Sequence, residues 1–260
     1  MQSISFDRAA DFYDATRGHP LIVSQAIAAS IQELFPEPKK VLEIGIGTGR
    51  IAIPCAQLGV RNFGVDLSSK MLARLQQNKS TGLRFPQISR ADAAALPFPA
   101  RSFSAVLAVH VFHLIADWRT ALGEIQRVLS PEGVLLTGFD WRSDDSPAGQ
   151  MRDRWQELTD AFIITETRVG APFGAVKTFL EDQGAQMDEW TVIEWERTFV
   201  PRTYLQSLRD GIYSSSWRVP DQEREEFISQ LQSWAETHLG DLDREYPEVR
   251  KFIWQRFRWV

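Results

Sequence analysis

The chain has 260 residues, of which 43% are hydrophobic and 24% are charged, a balance typical of a globular protein. Its net charge of −5 argues against a nucleic-acid partner, because such proteins usually carry a basic surplus. The single Cys55 excludes an internal disulfide, and no run of about 18 apolar residues predicts a membrane span. The first residues place acids where a signal peptide needs an apolar core, so we expect a cytoplasmic protein.

Two helices are predicted before residue 40. Apolar residues at helical spacing indicate the first, namely Phe6, Ala9, Ala10 and Tyr13. The second runs from about residue 22 to 34, and the prolines that follow it end the helix.

From residue 41, short apolar strands alternate with helices. Strands are predicted at 41–44, 60–65, 85–89 and 104–109 and in the segment after residue 133, and helices at 50–58, 68–78 and 117–129. This alternation predicts right-handed crossovers and a parallel sheet that is covered on both faces.

The alternation stops after Asp140. Helices are predicted at 148–165, 172–183, 201–210 and 221–238, and strands at 187–200 and 249–260. The last strand alternates apolar and basic residues, which favours an edge or antiparallel strand. We therefore predict an α/β fold with a doubly wound, mostly parallel seven-stranded sheet whose last strand is antiparallel. Its sheet domain comprises 1–145, 170–200 and 246–260, and a helical cap comprises 146–169 and 201–245.

Residues 41–50 read VLEIGIGTGR, a strand followed by a glycine-rich turn and a helix. This arrangement predicts a ligand site at the carboxyl edge of the sheet. A dinucleotide pattern that starts at Gly45 requires its third glycine at position 50, where the chain has Arg50. The residues instead match G-x-G-x-G with Glu43 two positions ahead, which makes a dinucleotide dehydrogenase the weakest alternative.

The E-x-G-x-G-x-G pattern resembles the first motif of the Rossmann-like S-adenosylmethionine-dependent methyltransferases. The segments GVDLS, SRADAAALPFPARSFSAV and FDRAADFYDATRG are similar to further parts of that family, notably its ubiquinone-biosynthesis-type and small-molecule enzymes. The resemblance covers residues 6–140. It implies that the sheet domain is Rossmann-like and binds S-adenosyl-L-methionine, with S-adenosyl-L-homocysteine as the product.

The resemblance also implies roles for individual residues. Asp66 would accept from the ribose hydroxyls and Asp92 from the adenine amino group, while Tyr13 and Arg17 would cover the methionine end. The whole implied cofactor-binding set is Tyr13, Arg17, Glu43, Gly45, Ile46, Gly47, Gly49, Asp66, Leu67, Met71, Asp92, Ala93 and His110.

The segment AVHVFHLIADW follows the fourth strand, where the family places its reacting groups. It lacks the Asn/Asp-Pro-Pro-Tyr signature of enzymes that methylate amide or adenine nitrogens. His113 is the candidate catalytic residue, because an imidazole can act as a base near neutral pH. Either histidine of this segment could instead only bond to backbone. No metal site is expected.

The sequence thus predicts a methyltransferase that acts on a small molecule by in-line transfer, mainly through proximity and alignment. The alternatives are an RNA or protein methyltransferase and a non-catalytic S-adenosylmethionine-binding protein. The acceptor atom and the oligomeric state stay open. Four arginines in the last third are candidates for pairing with an acidic substrate, namely Arg168, Arg202, Arg209 and Arg218.

Overall fold

The computed structural model describes residues 3–7, 10, 12–79, 82–160, 169–217 and 219–259. The helices are α1 Tyr13–Arg17, α2 Leu21–Leu34, α3 Ala52–Gln57, α4 Ser69–Gln77, α5 Trp118–Val128, α6 Pro147–Asp160, α7 Ala175–Asp182, α8 Pro201–Arg209 and α9 Asp221–His238. The strands are β1 Lys40–Ile44, β2 Arg61–Asp66, β3 Gln87–Arg90, β4 Phe103–Val109, β5 Leu129–Arg142, β6 Gln186–Phe199 and β7 Tyr246–Arg258.

The seven strands form one sheet in the order β3-β2-β1-β4-β5-β7-β6. The pairs β3–β2, β2–β1, β1–β4 and β4–β5 are parallel, whereas β7 runs antiparallel to β5. The predicted seven-stranded α/β fold is therefore confirmed. The last strand, β7, lies between β5 and β6. The sequence predicted either an edge strand or an antiparallel strand, and β7 is antiparallel but not at the edge.

Local signals explain where several elements begin. The side chain of Ser68 accepts a hydrogen bond from the backbone N–H of Met71 and thereby caps α4. Asp117 caps α5 in the same way through Thr120, and Pro201 occupies the first turn of α8. The central strand β1 is almost wholly buried, as expected for a parallel strand with covered faces, and it is apolar except at Lys40 and Glu43.

The first predicted helix is wrong at its start, because Phe6 lies outside any helix and α1 begins only at Tyr13. Tertiary hydrogen bonds hold the preceding residues instead. The N–H of Ile4 donates to the carbonyl of Leu114 at 2.9 Å, and the N–H of Ala116 donates to Ser3 Oγ at 3.1 Å. Bonds to a distant part of the chain thus outweigh the local helical pattern.

The chain divides into two compact units. Unit 1 comprises Met1–Phe139, Val169–Ile193 and Phe252–Val260, and unit 2 comprises Asp140–Arg168 and Glu194–Lys251. In unit 1 a large core joins the sheet to α5 and α7 through side chains such as Val106, Ile125 and Leu180. In unit 2 a separate core joins α6, α8 and α9 through side chains such as Trp155, Leu208 and Leu231.

Candidate functional site

A cleft opens in unit 1 beyond the carboxyl ends of β1, β2 and β4, with about 700 Å³ of empty space. Ligand sites of parallel α/β sheets typically lie at this position. Most of the residues predicted from the sequence meet in its wall, namely Tyr13, Gly45, Gly47, Asp66, Leu67, Met71, Asp92, Ala93 and His110.

The glycine turn forms one side of the cleft, and two of its glycines are required by geometry. Gly45 has a φ of +68°, and a Cβ at this position would lie 2.5 Å from Cγ2 of Val111. Gly47 has a φ of +57°, and its N–H donates to Oδ2 of Asp66 at 2.8 Å. A side chain at either position would be strained, and at Gly45 it would also collide with its neighbour.

Asp66 ends β2 and lies against the glycine turn. Its Oδ2 accepts from Gly47, and its Oδ1 accepts from the N–H of Ser68 at 2.8 Å. Burial raises the pKa of this carboxyl, although the backbone hydrogen bonds partly oppose that rise. Each carboxylate oxygen has two lone pairs, so each can accept a further hydrogen bond from a ligand.

Asp92 provides the second carboxyl group of the cleft. Its Oδ1 accepts from the N–H of Ala94 at 2.9 Å, in a local turn that fixes the side chain. Next to it, the N–H of Ala91 donates to the carbonyl of Asp66 at 3.1 Å and so ties the ends of β2 and β3 together. The two carboxyl groups therefore line one cleft although 26 positions separate them in the sequence.

The residues that precede α2 cover part of the cleft. Ser3, Ile4 and Phe6 line it together with Tyr13, and the Phe6 and Tyr13 rings meet edge to face at 6.0 Å. We call residues 3–7 and α1 the N-terminal segment. The sequence analysis assigned Ser3 and Ile4 no role, because their position depends on hydrogen bonds to residues 114–116 that no local pattern reveals.

Two acids of the N-terminal segment bind it to the rest of unit 1. Asp7 accepts from the hydroxyl of Ser68 and, at 3.1 Å, from the N–H of Lys70. Mainly through the Ser68 hydrogen bond, the pKa of Asp7 is lowered. Asp14 accepts from the hydroxyl of Thr48, which lies in the glycine turn.

Other predicted residues do not line the cleft. Ile46 is buried in a small core with Leu72 and Leu75, and a Cβ at Gly49 would meet Ile53 and Leu75 at about 3.0 Å. The side chain of Arg17 lies outside the described residues. Roles for these positions in binding stay predictions.

Glu43 lies on β1 with 5% of its surface exposed and is not part of the cleft wall. Its buried Oε2 has no hydrogen-bond partner within the described parts of the chain. Burial raises the pKa of Glu43 to about 8, and Asp66 adds to this rise while Arg50 opposes it. The acid is therefore largely protonated, and neutral, at pH 7.

The two histidines after β4 differ in position. His110 lines the cleft with a φ of +50°, a conformation that costs free energy for a residue other than glycine. His113 is exposed on the 3₁₀ helix Phe112–Leu114 and lies outside the cleft wall. Contact between His113 and a substrate stays a prediction.

Two kinds of feature are absent from the described residues. No helix found there has the length and apolar character needed to cross a bilayer. That same part of the chain contains no group of three or more His, Cys, Asp or Glu side chains placed to hold a metal ion.

Comparison with known proteins identifies the region around the cleft. Residues 42–137 match the family described as "Methyltransferase domain". The malonyl-[acyl-carrier protein] O-methyltransferase of Halorhodospira halophila is 31% identical over 159 residues, which are 60% of this chain and 52% of that protein. The demethylmenaquinone methyltransferase of Thermus thermophilus is 38% identical over 104 residues, which are 38% of this chain and 46% of that protein.

The YcgJ protein of Bacillus subtilis has a similar solved structure, with a TM-score of 0.59 and 18% identity over 90% of this chain and 98% of that one. At this identity the likeness shows the fold alone. The chain spans about half the length of the two curated relatives above. Residues 42–137 of this chain are thus similar to a methyltransferase domain, and the chain shares the fold of the YcgJ structure.

Proposed function

We propose that this protein transfers a methyl group from S-adenosylmethionine to a small-molecule acceptor. The observation that carries the proposal is the cleft of unit 1, which Gly45 and Gly47 line together with two carboxyl groups, those of Asp66 and Asp92. Adenosylmethionine offers a ribose diol and an exocyclic amine, and both are hydrogen-bond donors that carboxylates accept. The residues present therefore fit this cofactor.

Each residue has a defined task in this proposal. Asp66 is fixed by Gly47 and Ser68, so its remaining lone pairs point in set directions for the ribose hydroxyls. Asp92 is fixed through one oxygen by Ala94, which leaves the other for the adenine amino group. Tyr13 of the N-terminal segment covers the methionine end.

The bound cofactor would supply a methyl group that is already activated on a sulfonium. This chain would then contribute alignment and exclusion of water, which can provide much of the rate of an in-line displacement. A base is required only where the acceptor must lose a proton, and His113 is the proposed candidate for that task.

We infer a small-molecule acceptor, and we propose that the predicted cap of residues 146–169 and 201–245 binds it. The relatives' names, which give malonyl-[acyl-carrier protein] and demethylmenaquinone as substrates, support an acceptor other than nucleic acid. The net charge of −5 supports the same conclusion. The lone Cys55, which is buried, fits a reducing compartment, and we propose the cytoplasm.

The test is calorimetry with S-adenosylmethionine and with NAD. We expect Asp66→Ala to weaken adenosylmethionine binding on the order of 100-fold, because hydrogen bonds to a charged group contribute about 1.5–3 kcal/mol each. Asp182→Ala, at an exposed acid of α7 in the same unit, should keep the wild-type affinity. Tight binding of NAD without binding of adenosylmethionine would overturn the proposal.

A further inference from the structure

The segment between β4 and α5, residues 110–116, forms part of the cleft wall. We call it the junction segment. Its residues in the wall are His110, Val111, Leu114 and Ile115. His110 has a φ of +50°, and a residue other than glycine keeps this unfavourable conformation only where surrounding contacts hold the backbone. The contacts of the junction segment therefore decide the shape of this part of the cleft.

Two of these contacts are made to other residues of the cleft wall. The side chain of Val111 lies so close to Gly45 that a Cβ on the glycine would meet its Cγ2 at 2.5 Å. The N–H of Ile4 in the N-terminal segment donates to the carbonyl of Leu114 at 2.9 Å. All four residues line the cleft, so both contacts belong to the cleft wall itself.

A further contact of the junction segment is made to Gly170, which is not part of the cleft wall. This glycine has a φ of +77°, and a Cβ there would lie 2.2 Å from the carbonyl carbon of His113 and 2.6 Å from the carbonyl oxygen of Phe112. The N–H of the next residue, Ala171, donates to the same Phe112 oxygen at 3.0 Å. Because the atoms in the way belong to the backbone, a side chain at position 170 would have to displace one of the two segments.

Gly174 of the same unit provides a comparison for Gly170. It has almost the same backbone conformation, with a φ of +79°, but a Cβ there would meet no heavy atom of the described residues within 4 Å. The two positions thus share the preference of a positive φ for glycine. The close approach to the junction segment is the property that distinguishes Gly170.

We propose that Gly170 is a positioning residue of the cofactor site. Its close approach to the backbone of the junction segment keeps Val111 against Gly45, where both residues line the cleft. Gly170 itself lies outside the cleft wall, so it acts on a bound ligand through the junction segment. The inference rests on the proposed function and deepens it, because it extends the cofactor site to a residue outside the family-matched range 42–137.

Calorimetry with S-adenosylmethionine tests the proposal, with Gly170→Ala as the variant and Gly174→Ala as its matched control. Both substitutions place alanine at a positive φ, so both should lower the Tm. Well below the Tm of each protein, we expect Gly170→Ala to weaken binding about 5- to 30-fold and Gly174→Ala to bind like the wild type. Wild-type affinity in Gly170→Ala, or an equal loss of affinity in both variants, would overturn the proposal.

A double-mutant cycle with Val111→Ala provides a second readout, which a merely structural role of Gly170 would not change. If Gly170 acts through the contact of Val111 with Gly45, Val111→Ala should itself weaken binding of adenosylmethionine. The further loss caused by Gly170→Ala should then be smaller in the Val111→Ala protein than in the wild type. Additive losses contradict the proposal. If Gly170→Ala yields no folded protein, Val111→Ala decides alone, and wild-type affinity in that variant overturns the proposal.

The same titrations separate this inference from the proposed function. A wild type that does not bind adenosylmethionine removes the proposed function and the role of Gly170 with it. A wild type that binds adenosylmethionine, together with a Gly170→Ala variant of equal affinity, removes the role of Gly170 alone.

Discussion

Glu43 of unit 1 and Glu248 of unit 2 are both hidden from solvent, with 5% and 2% of their surfaces exposed. Oε2 of each acid has no hydrogen-bond partner among the described residues. Their charged neighbours differ, and the pKa of Glu43 is raised to about 8, mainly by burial. Glu248 lies within 3.3 Å of two guanidinium groups, those of Arg197 and Arg250. Two carboxyl groups of similar burial can therefore have very different charged neighbours.

The difference follows the division of the chain into units. The residues that match the methyltransferase family, 42–137, lie wholly in unit 1. Unit 1 contains the neutral Glu43 near the cleft that we propose for the cofactor. Unit 2 contains Glu248 with Arg197 and Arg250, which lie outside the residues that match the family. The residues that match the family and this second set of charges thus lie in different units.

Among the substitutions that test this contrast, Glu43→Gln is expected to have the largest effect on the stability of the protein. Because the folded pKa of Glu43 exceeds its ordinary value of 4.5, the unfolded state releases this proton first as the pH rises. The wild type should therefore lose stability between about pH 4.5 and pH 8, on the order of 5 kcal/mol at about 1.4 kcal/mol per pKa unit.

Glutamine resembles the neutral acid and does not titrate, so the variant should lack this loss. Denaturant unfolding of both proteins across the pH range measures the difference. Equal stability curves for wild type and variant from pH 5 to pH 8 would contradict a neutral Glu43.

The same substitution in unit 2, Glu248→Gln, should lower the free energy of unfolding at pH 7, whereas Glu43→Gln should raise it. It leaves Arg197 and Arg250 without a buried negative partner, and breaking a buried ion pair in this way costs about 3 kcal/mol or more. Denaturant unfolding at pH 7 measures the loss. Glu245→Gln, at an exposed acid of unit 2 nearby in the sequence, is the control and should change stability little. A stabilised Glu248→Gln protein would remove the contrast between the units.

The smallest expected effect concerns Asp14 of unit 1 and the binding of adenosylmethionine. Asp14 lies outside the family-matched residues but accepts a hydrogen bond from Thr48 in the glycine turn. Loss of one such bond costs about 0.5–1.5 kcal/mol, so Asp14→Ala should weaken adenosylmethionine binding about 3- to 10-fold. Thr48→Ala should have a similar effect, and the double variant should be no worse than either. Additive losses in calorimetry would show that the two side chains act independently.

The sequence predicts unit 1 well where its signals are local. Strand, turn and helix patterns from residue 41 to 140 place Gly45, Gly47 and Asp66 at one sheet edge, and the structure brings them together there. The N-terminal segment escapes prediction because Ile4 bonds to Leu114, more than a hundred residues away. The ion pair of Arg202 with Asp243 escapes it for another reason. A sequence shows the charge of an arginine but not whether a carboxylate lies beside it.

The continuity of three strands across the unit boundary has a consequence for protein engineering. The chain passes between the units inside β5, β6 and β7, after residues 139, 193 and 251. Unit 2 therefore cannot be removed or exchanged by cuts in loops alone. A chimera that borrows it from another protein needs splices within strands, and a slip of one residue at a splice would turn every following side chain to the other face of the sheet. New acceptor specificity should accordingly be easier to obtain by point substitution than by recombination.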